Sequence, residues 1–106
     1  RGCVDEHVVM AAFDRSDRIV HWIERKGGLD HSALNFEDLC VLLSDPATQR
    51  ISIAHNHPSG DPRPSAADIR TTQKMSDFCA ETGVKLIEHL IIAGDQSHSI
   101  FFKVHE

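Results

Sequence analysis

Residues 55–68 read HNHPSGDPRPSAAD, and the groups in this run that can do chemistry are two imidazoles, His55 and His57, a hydroxyl, Ser65, and a carboxylate, Asp68. Two histidines and one carboxylate make three protein donors of nitrogen and oxygen type. A catalytic zinc site uses such a set and keeps a fourth position open for water. Water held there reaches a pKa near roughly 7, so hydroxide becomes accessible at neutral pH. A structural zinc site wants a fourth protein donor, and none is adjacent in the sequence. Ser65, just ahead of the aspartate, is placed to offer its hydroxyl to an oxyanion developing at the open position. Each part also has a plainer reading. Ser65-Ala66-Ala67-Asp68 is close to a capping box, a His-x-His at a strand end is often a polar edge, and Asn56 and Asp61 suit turn positions. The joint spacing favours a metal, and Ser65 is open to both roles, cap and catalyst.

The site needs elements to hold it. HVVMAAF (residues 7–13), DRSD (14–17) and RIVHWIE (18–24) read as a β-hairpin, after which Gly27 and Gly28 break the chain. Asn35 with Asp38 three positions on is an N-cap signature, and Phe36, Leu39, Cys40, Leu42 and Leu43 recur at helical spacing until Asp45-Pro46. RISIAH (50–55) alternates as a strand. Its side chains at 55 and 57 leave the same face. The next helix is expected from about Ser65 to Thr82, with Ile69, Thr72, Met75 and Cys79 inward and Gly83 at its C-terminus. That helix puts Asp68 in its first turn, within reach of the two histidines. KLIEHLIIAG (85–94) and SIFFKV (99–104) supply two more strands around a Gly94-Asp95 turn. The order ββαβαββ predicts a mixed sheet flanked by helices, of α/β or α+β class.

At 106 residues the chain is expected to be one domain, spanning 1–106. Charges interrupt RGCVDEHVVM before any apolar signal-peptide core, and the apolar runs are far too short to span a membrane, so the expected setting is cytoplasmic without a membrane partner. Cys3, Cys40 and Cys79 are odd in number and lack a C-x-x-C spacing. They are expected to be reduced, with Cys40 and Cys79 on apolar helix faces. A net charge of −5 with no Lys/Arg cluster argues against a strong nucleic-acid footprint. His7, His21, His31, His98 and His105 are scattered and expected at the surface or rim. Trp22 and Phe101-Phe102 are expected to fill core or interface.

His-x-His, seven residues, Ser, two residues, Asp, as at His55, His57, Ser65 and Asp68, resembles the metal-binding pattern of the JAB/MPN (JAMM) metalloprotease domain. The string HNHPSGDPRPSAADIRTT (55–72) is similar to the RadC branch in particular. The likeness runs on through GVKLIEHLIIAG (83–94), with its acid–histidine pair Glu88-His89, and Ser99; upstream, GGLDH (27–31) can be laid over the branch's glycine turn. The resemblance implies a cytidine-deaminase-like fold around one Zn2+ per chain, with His55, His57 and Asp68 as ligands and Ser65 as oxyanion partner. It implies cleavage of a peptide or isopeptide bond in a protein substrate, often next to ubiquitin-like proteins, with an upstream glutamate as general base.

Aligning GGLDH to the glycine turn places the usual glutamate position on Trp22. Glu24, two residues further along the same strand and on the same side, is then the candidate base. The competing view has Glu24 as a solvated charge beside Arg25 and Lys26 in an inactive domain. Three functions follow as expectations: a zinc-dependent hydrolase, a metal-binding but inactive protein-interaction scaffold, and an accessory domain in DNA repair, which the RadC label suggests and the negative charge disfavours. Exposed sheet edges also leave room for a homodimer.

Overall fold

A computed structural model describes residues 6–27 and 34–100. Its elements are β1 (His7–Phe13), β2 (Ile19–Lys26), α1 (Phe36–Leu43), β3 (Arg50–Asn56), α2 (Ala66–Glu81), β4 (Lys85–Ala93) and β5 (Gln96–Ile100). This is the expected ββαβαββ order in an α+β domain. The five strands form one sheet in the order β2-β1-β3-β4-β5. β1 runs antiparallel to both β2 and β3, β3 and β4 are parallel, and β5 returns antiparallel to β4. The parallel pair is joined through α2, as a parallel connection requires a crossover.

Local chemistry sets the joints. The Asp14 carboxylate accepts from the N–H groups of Ser16 (2.8 Å) and Arg18 (2.9 Å), tightening the first hairpin. The Asn35 side chain caps α1 by accepting from the Asp38 N–H at 2.9 Å. Asp38, nearly buried, takes a two-pronged contact from Arg25 at 2.9 and 3.0 Å, which ties α1 to the edge strand β2.

Both helices lie on one face of the sheet. Val8, Met10, Ala12, Ile51 and Ile53 from the strands meet Leu39 and Leu42 from α1 and Met75 and Cys79 from α2 in one buried cluster. Strand alternation then assigns every other position, because residues opposite one another in the ladder share a face. His55 sits opposite Val8 and Ile91, so it points to the helix side at the end of the hydrophobic stripe.

Several side-chain expectations change. Cys40 is exposed, because the short α1 presents only the stripe through Asp38, Leu39 and Leu42 to the sheet. Ile69 is 43% exposed. The inner stripe of α2 runs through Thr72, Met75 and Cys79, and position 69 lies off it. Of the two places expected for Trp22, core or interface, the core is excluded: it is 55% exposed, since it shares with Ala11 the sheet face that no helix covers among the described residues. β5 begins at Gln96, earlier than expected, because Gly94 takes a positive φ of 62° and pairing resumes at once with Ala93 opposite Gln96. Cys3, His31, His105, Phe101-Phe102, most of the GGLDH turn and the end of the last strand lie outside the described residues.

Candidate metal centre

The C-terminal end of β3 and the N-terminus of α2 converge on the helix side. One donor atom from each of His55, His57 and Asp68 can be chosen so that all lie within 4.8 Å of one another. His55 is buried, at 3% exposure, and its ring stands 4.8 Å from that of His57. His57 is anchored through its own N–H to the Ile92 carbonyl at 2.8 Å, and its Nδ1 meets the Asp61 carbonyl at 2.9 Å. A carbonyl only accepts, so Nδ1 carries the hydrogen. The opposite nitrogen, Nε2, lies 3.1 Å from Asp68 Oδ2. With that ring neutral, two electron-rich atoms would face each other there, a contact that an added proton or a metal cation resolves.

Ser65 caps α2. Its Oγ accepts from the Asp68 N–H and its own N–H donates to Asp68 Oδ2, both at 2.9 Å, so the capping box is complete. The cap also steers the carboxylate toward the histidines. Burial works to raise the Asp68 pKa, but the two hydrogen bonds with Ser65 and the nearby imidazoles outweigh it, and the group stays below the ordinary carboxylate value. Burial holds His55 below 6.5, with His57 adding to the effect while Asp68 and Glu6 oppose it. A neutral imidazole is the form that binds a metal. His55 Nε2 is buried and has no hydrogen-bond partner among the described residues. An orphaned nitrogen beside a carboxylate and a second imidazole suits a divalent cation such as zinc.

Two further groups, which sequence reasoning missed, complete the surroundings. Glu6 Oε2 stands 3.9 Å from His55 Nε2. The β1–β3 register, extended two residues past Val8 opposite His55, sets position 6 across from position 57. The signal for it was strand alternation, hidden until β1 was known to lie beside β3. His89 on β4 is 1% exposed and places its Nε2 2.5 Å from His55 Nδ1, while its Nδ1 lies 2.6 Å from the Thr72 hydroxyl. Its signal was a histidine in the inward stripe with Ile91 and Ala93.

Glu24 is not at the site. It pairs with Val9, which in turn pairs with Ala54, so it points to the face opposite His55, and β1 separates its strand from β3. Its side chain is 54% exposed and lies 3.8 Å from His7. Trp22 shares that face. A cavity of about 360 Å³ also lies elsewhere, lined among others by Gln49, Arg50, Ser76 and Lys85 at the opposite end of β3. Arg50 there is committed to the Asp14 carbonyl and to Asp17.

Acidification should loosen the metal-free fold. Burial first, then the nearby His55 and His57 against the opposing Asp68, push His89 down to about 4 from 6.5. The unfolded chain therefore takes up a proton that the folded chain refuses between these values. Stability is fully present above about pH 6.5 and declines as pH falls toward 4, by on the order of 2–3 kcal/mol for this group. Thermal melts across that window should show a steeper loss in the wild type than in His89→Gln; equal slopes would assign the loss to other groups.

A family model described as RadC-like JAB domain matches residues 1–104. The chain is 29% identical to a UPF0758 protein of Coprothermobacter proteolyticus over 90% of its own length and 41% of that protein's. It is 31% identical to a UPF0758 protein of Enterococcus faecalis over 92% of the chain and 42% of the relative. A UPF0758 protein of Bordetella avium is 50% identical over 47% of the chain. The chain thus spans about two fifths of the length of the first two relatives. Among the described residues no helix is long and apolar enough to cross a membrane.

Proposed function

The chain belongs to the RadC-like JAB domain family, and on that premise we propose that it is a zinc-dependent hydrolase of a peptide or isopeptide bond in a protein substrate, with Glu6 in place of Glu24 as general base. The observation that carries this reading is the Glu6 carboxylate 3.9 Å from the unpartnered His55 Nε2, beside the His55, His57 and Asp68 set. His55, His57 and Asp68 would hold the ion. Bound zinc would lower the pKa of a water at its open position and polarise the scissile carbonyl.

The chain's own residues do the rest. Glu6, its side chain 27% exposed at the mouth of β1, can take the proton from the attacking water and pass it to the leaving amine, the role that needs a base within about 2.6–3.2 Å of that water or one water away. Ser65 spends an oxygen lone pair on the Asp68 N–H and keeps its own proton, so its exposed hydroxyl can donate to the oxyanion while it caps the helix. The loop between the ligands is held by the bond from Gly60 N–H to the His57 carbonyl at 3.1 Å and by Asp61, whose carboxylate grips Arg63 at 2.7–3.1 Å and drops to about 2. A held loop supports preorganised donors.

The direct test is turnover of zinc-loaded protein on a panel of peptide and lysine-isopeptide substrates, ubiquitin-like conjugates included. Cleavage that stops on chelation and returns with zinc is expected. A fully loaded protein inert across the panel would favour the scaffold reading. Ser65→Ala separates the two uses of the serine. It should cost about 1 kcal/mol in thermal or denaturant melts from the lost cap, and turnover per folded, loaded molecule should fall about 10²–10³-fold. A stability loss with unchanged turnover would leave Ser65 as a cap alone.

A further inference from the structure

We propose that His89 and Thr72 are positioning residues for this centre: together they hold His55 with its hydrogen on Nδ1, which leaves the Nε2 lone pair directed at the metal position. The inference rests on the zinc reading above. Its logic is proton accounting through three buried side chains. The Thr72 hydroxyl has one hydrogen, and it donates to the Asp68 backbone carbonyl at 2.7 Å, a group that can only accept. Toward His89 Nδ1, 2.6 Å away, the same oxygen must therefore accept, so His89 carries its hydrogen on Nδ1.

A neutral imidazole has one N–H, and His89 Nε2 is bare. It faces His55 Nδ1 at 2.5 Å. Two bare nitrogens do not meet at that distance, so His55 Nδ1 donates, and His55 Nε2 is left as the free lone pair. That is the buried nitrogen with no hydrogen-bond partner among the described residues. Thr72 and His89 are each 1% exposed and His55 is 3% exposed, so water offers no competing partners that would allow the rings to flip. The relay also links two ligands, because it starts at the backbone carbonyl of Asp68 and ends on the ring of His55. A histidine that ligates a metal commonly needs its other nitrogen held by a neighbour, and loss of such a neighbour typically costs about 10–100-fold in metal affinity.

The test begins without metal or substrate. Long-range 1H–15N correlation spectra of histidine-labelled, metal-free wild-type protein at neutral pH should show His55 and His89 both protonated on Nδ1. His55 protonated on Nε2 would overturn the relay whether or not zinc binds. Zinc affinity then tests the consequence. His89→Leu should weaken it about 10–100-fold, whereas His89→Gln, whose amide oxygen can accept from His55 and whose amide nitrogen can donate to Thr72, should restore most of it. Equal affinities for the two variants would overturn the positioning role. If His89→Leu does not fold, the near-isosteric Thr72→Val takes its place: a mixed His55 tautomer and weaker zinc are expected, and an unchanged tautomer with unchanged affinity would refute the proposal. A wild-type protein that shows the expected tautomers but takes up no zinc refutes the metal reading alone.

Discussion

Glu6→Gln should keep the metal and lose turnover on a peptide or isopeptide substrate by about 10²–10⁴-fold, the range that a general acid–base group supplies. Glutamine preserves the shape of the side chain at the mouth of β1 and removes its basicity, so zinc content and melting temperature should stay near wild type. Position 6 precedes β1, and its side chain is only partly buried, so the change disturbs no core packing. Glu24→Gln is the internal control. Its carboxylate lies on the far face of the sheet, beside His7, and turnover should not change. Loss of activity in Glu24→Gln with full activity in Glu6→Gln would reverse the assignment and would require β2 to pack differently against β1.

The second large effect is on metal content. His55→Ala and Asp68→Ala should each reduce bound zinc from one per chain to none, read by elemental analysis after dialysis against a weak chelator. Each removes one of three donors. For His55 the lost group is the nitrogen that no hydrogen bond in the described structure engages. Asp68→Ala also opens the capping box, which by itself costs about 1 kcal/mol, so Asp68→Asn is the cleaner partner: it keeps an oxygen that can accept from the Ser65 N–H but surrenders the charge. Thermal melts give an independent reading. Zinc at 100 times its dissociation constant should stabilise the wild type by about 2.7 kcal/mol and leave the variants unmoved. Full occupancy in both alanine variants would refute the ligand assignment.

The candidate ligand set could be read from the sequence because it is local. A strand end, a proline- and glycine-broken loop and a helix start are each marked by residue type, and the side chains at 55, 57 and 68 follow from strand alternation and from the cap. The helix caps were equally plain, since Asn35 and Ser65 each precede an acid at the capping-box spacing. The proposed base, Glu6, was hidden for a physical reason. Which acid reaches the metal depends on which strand neighbours β3, and that is decided by long-range pairing that hydrophobic pattern alone leaves open. Glu24 sat on a well-predicted strand but on an edge, one strand removed and facing away. Trp22 and Ile69 misled because an apolar side chain suggests burial even where, among the described residues, the sheet face is uncovered or the helix stripe has rotated past. His89 went unread as a site residue because its partners lie on β3 and α2, and only the parallel β3–β4 ladder brings them together.

The β3–α2–β4 crossover has a consequence for the order of assembly. It carries all three candidate ligands and the proposed histidine relay on consecutive elements, with the candidate ligands confined to residues 55–68, so closing the donor set requires only a short loop. Glu6 arrives from the far side of the hairpin and α1, across a segment several times longer, at a chain-entropy cost larger by roughly 1 kcal/mol. During refolding of the whole chain, the crossover unit can therefore gather these side chains before β1 docks against β3. On the proposed function, metal capture would be local to that unit and hydrolysis would wait for the completed sheet, so a partly folded chain would hold its ion before it could cut.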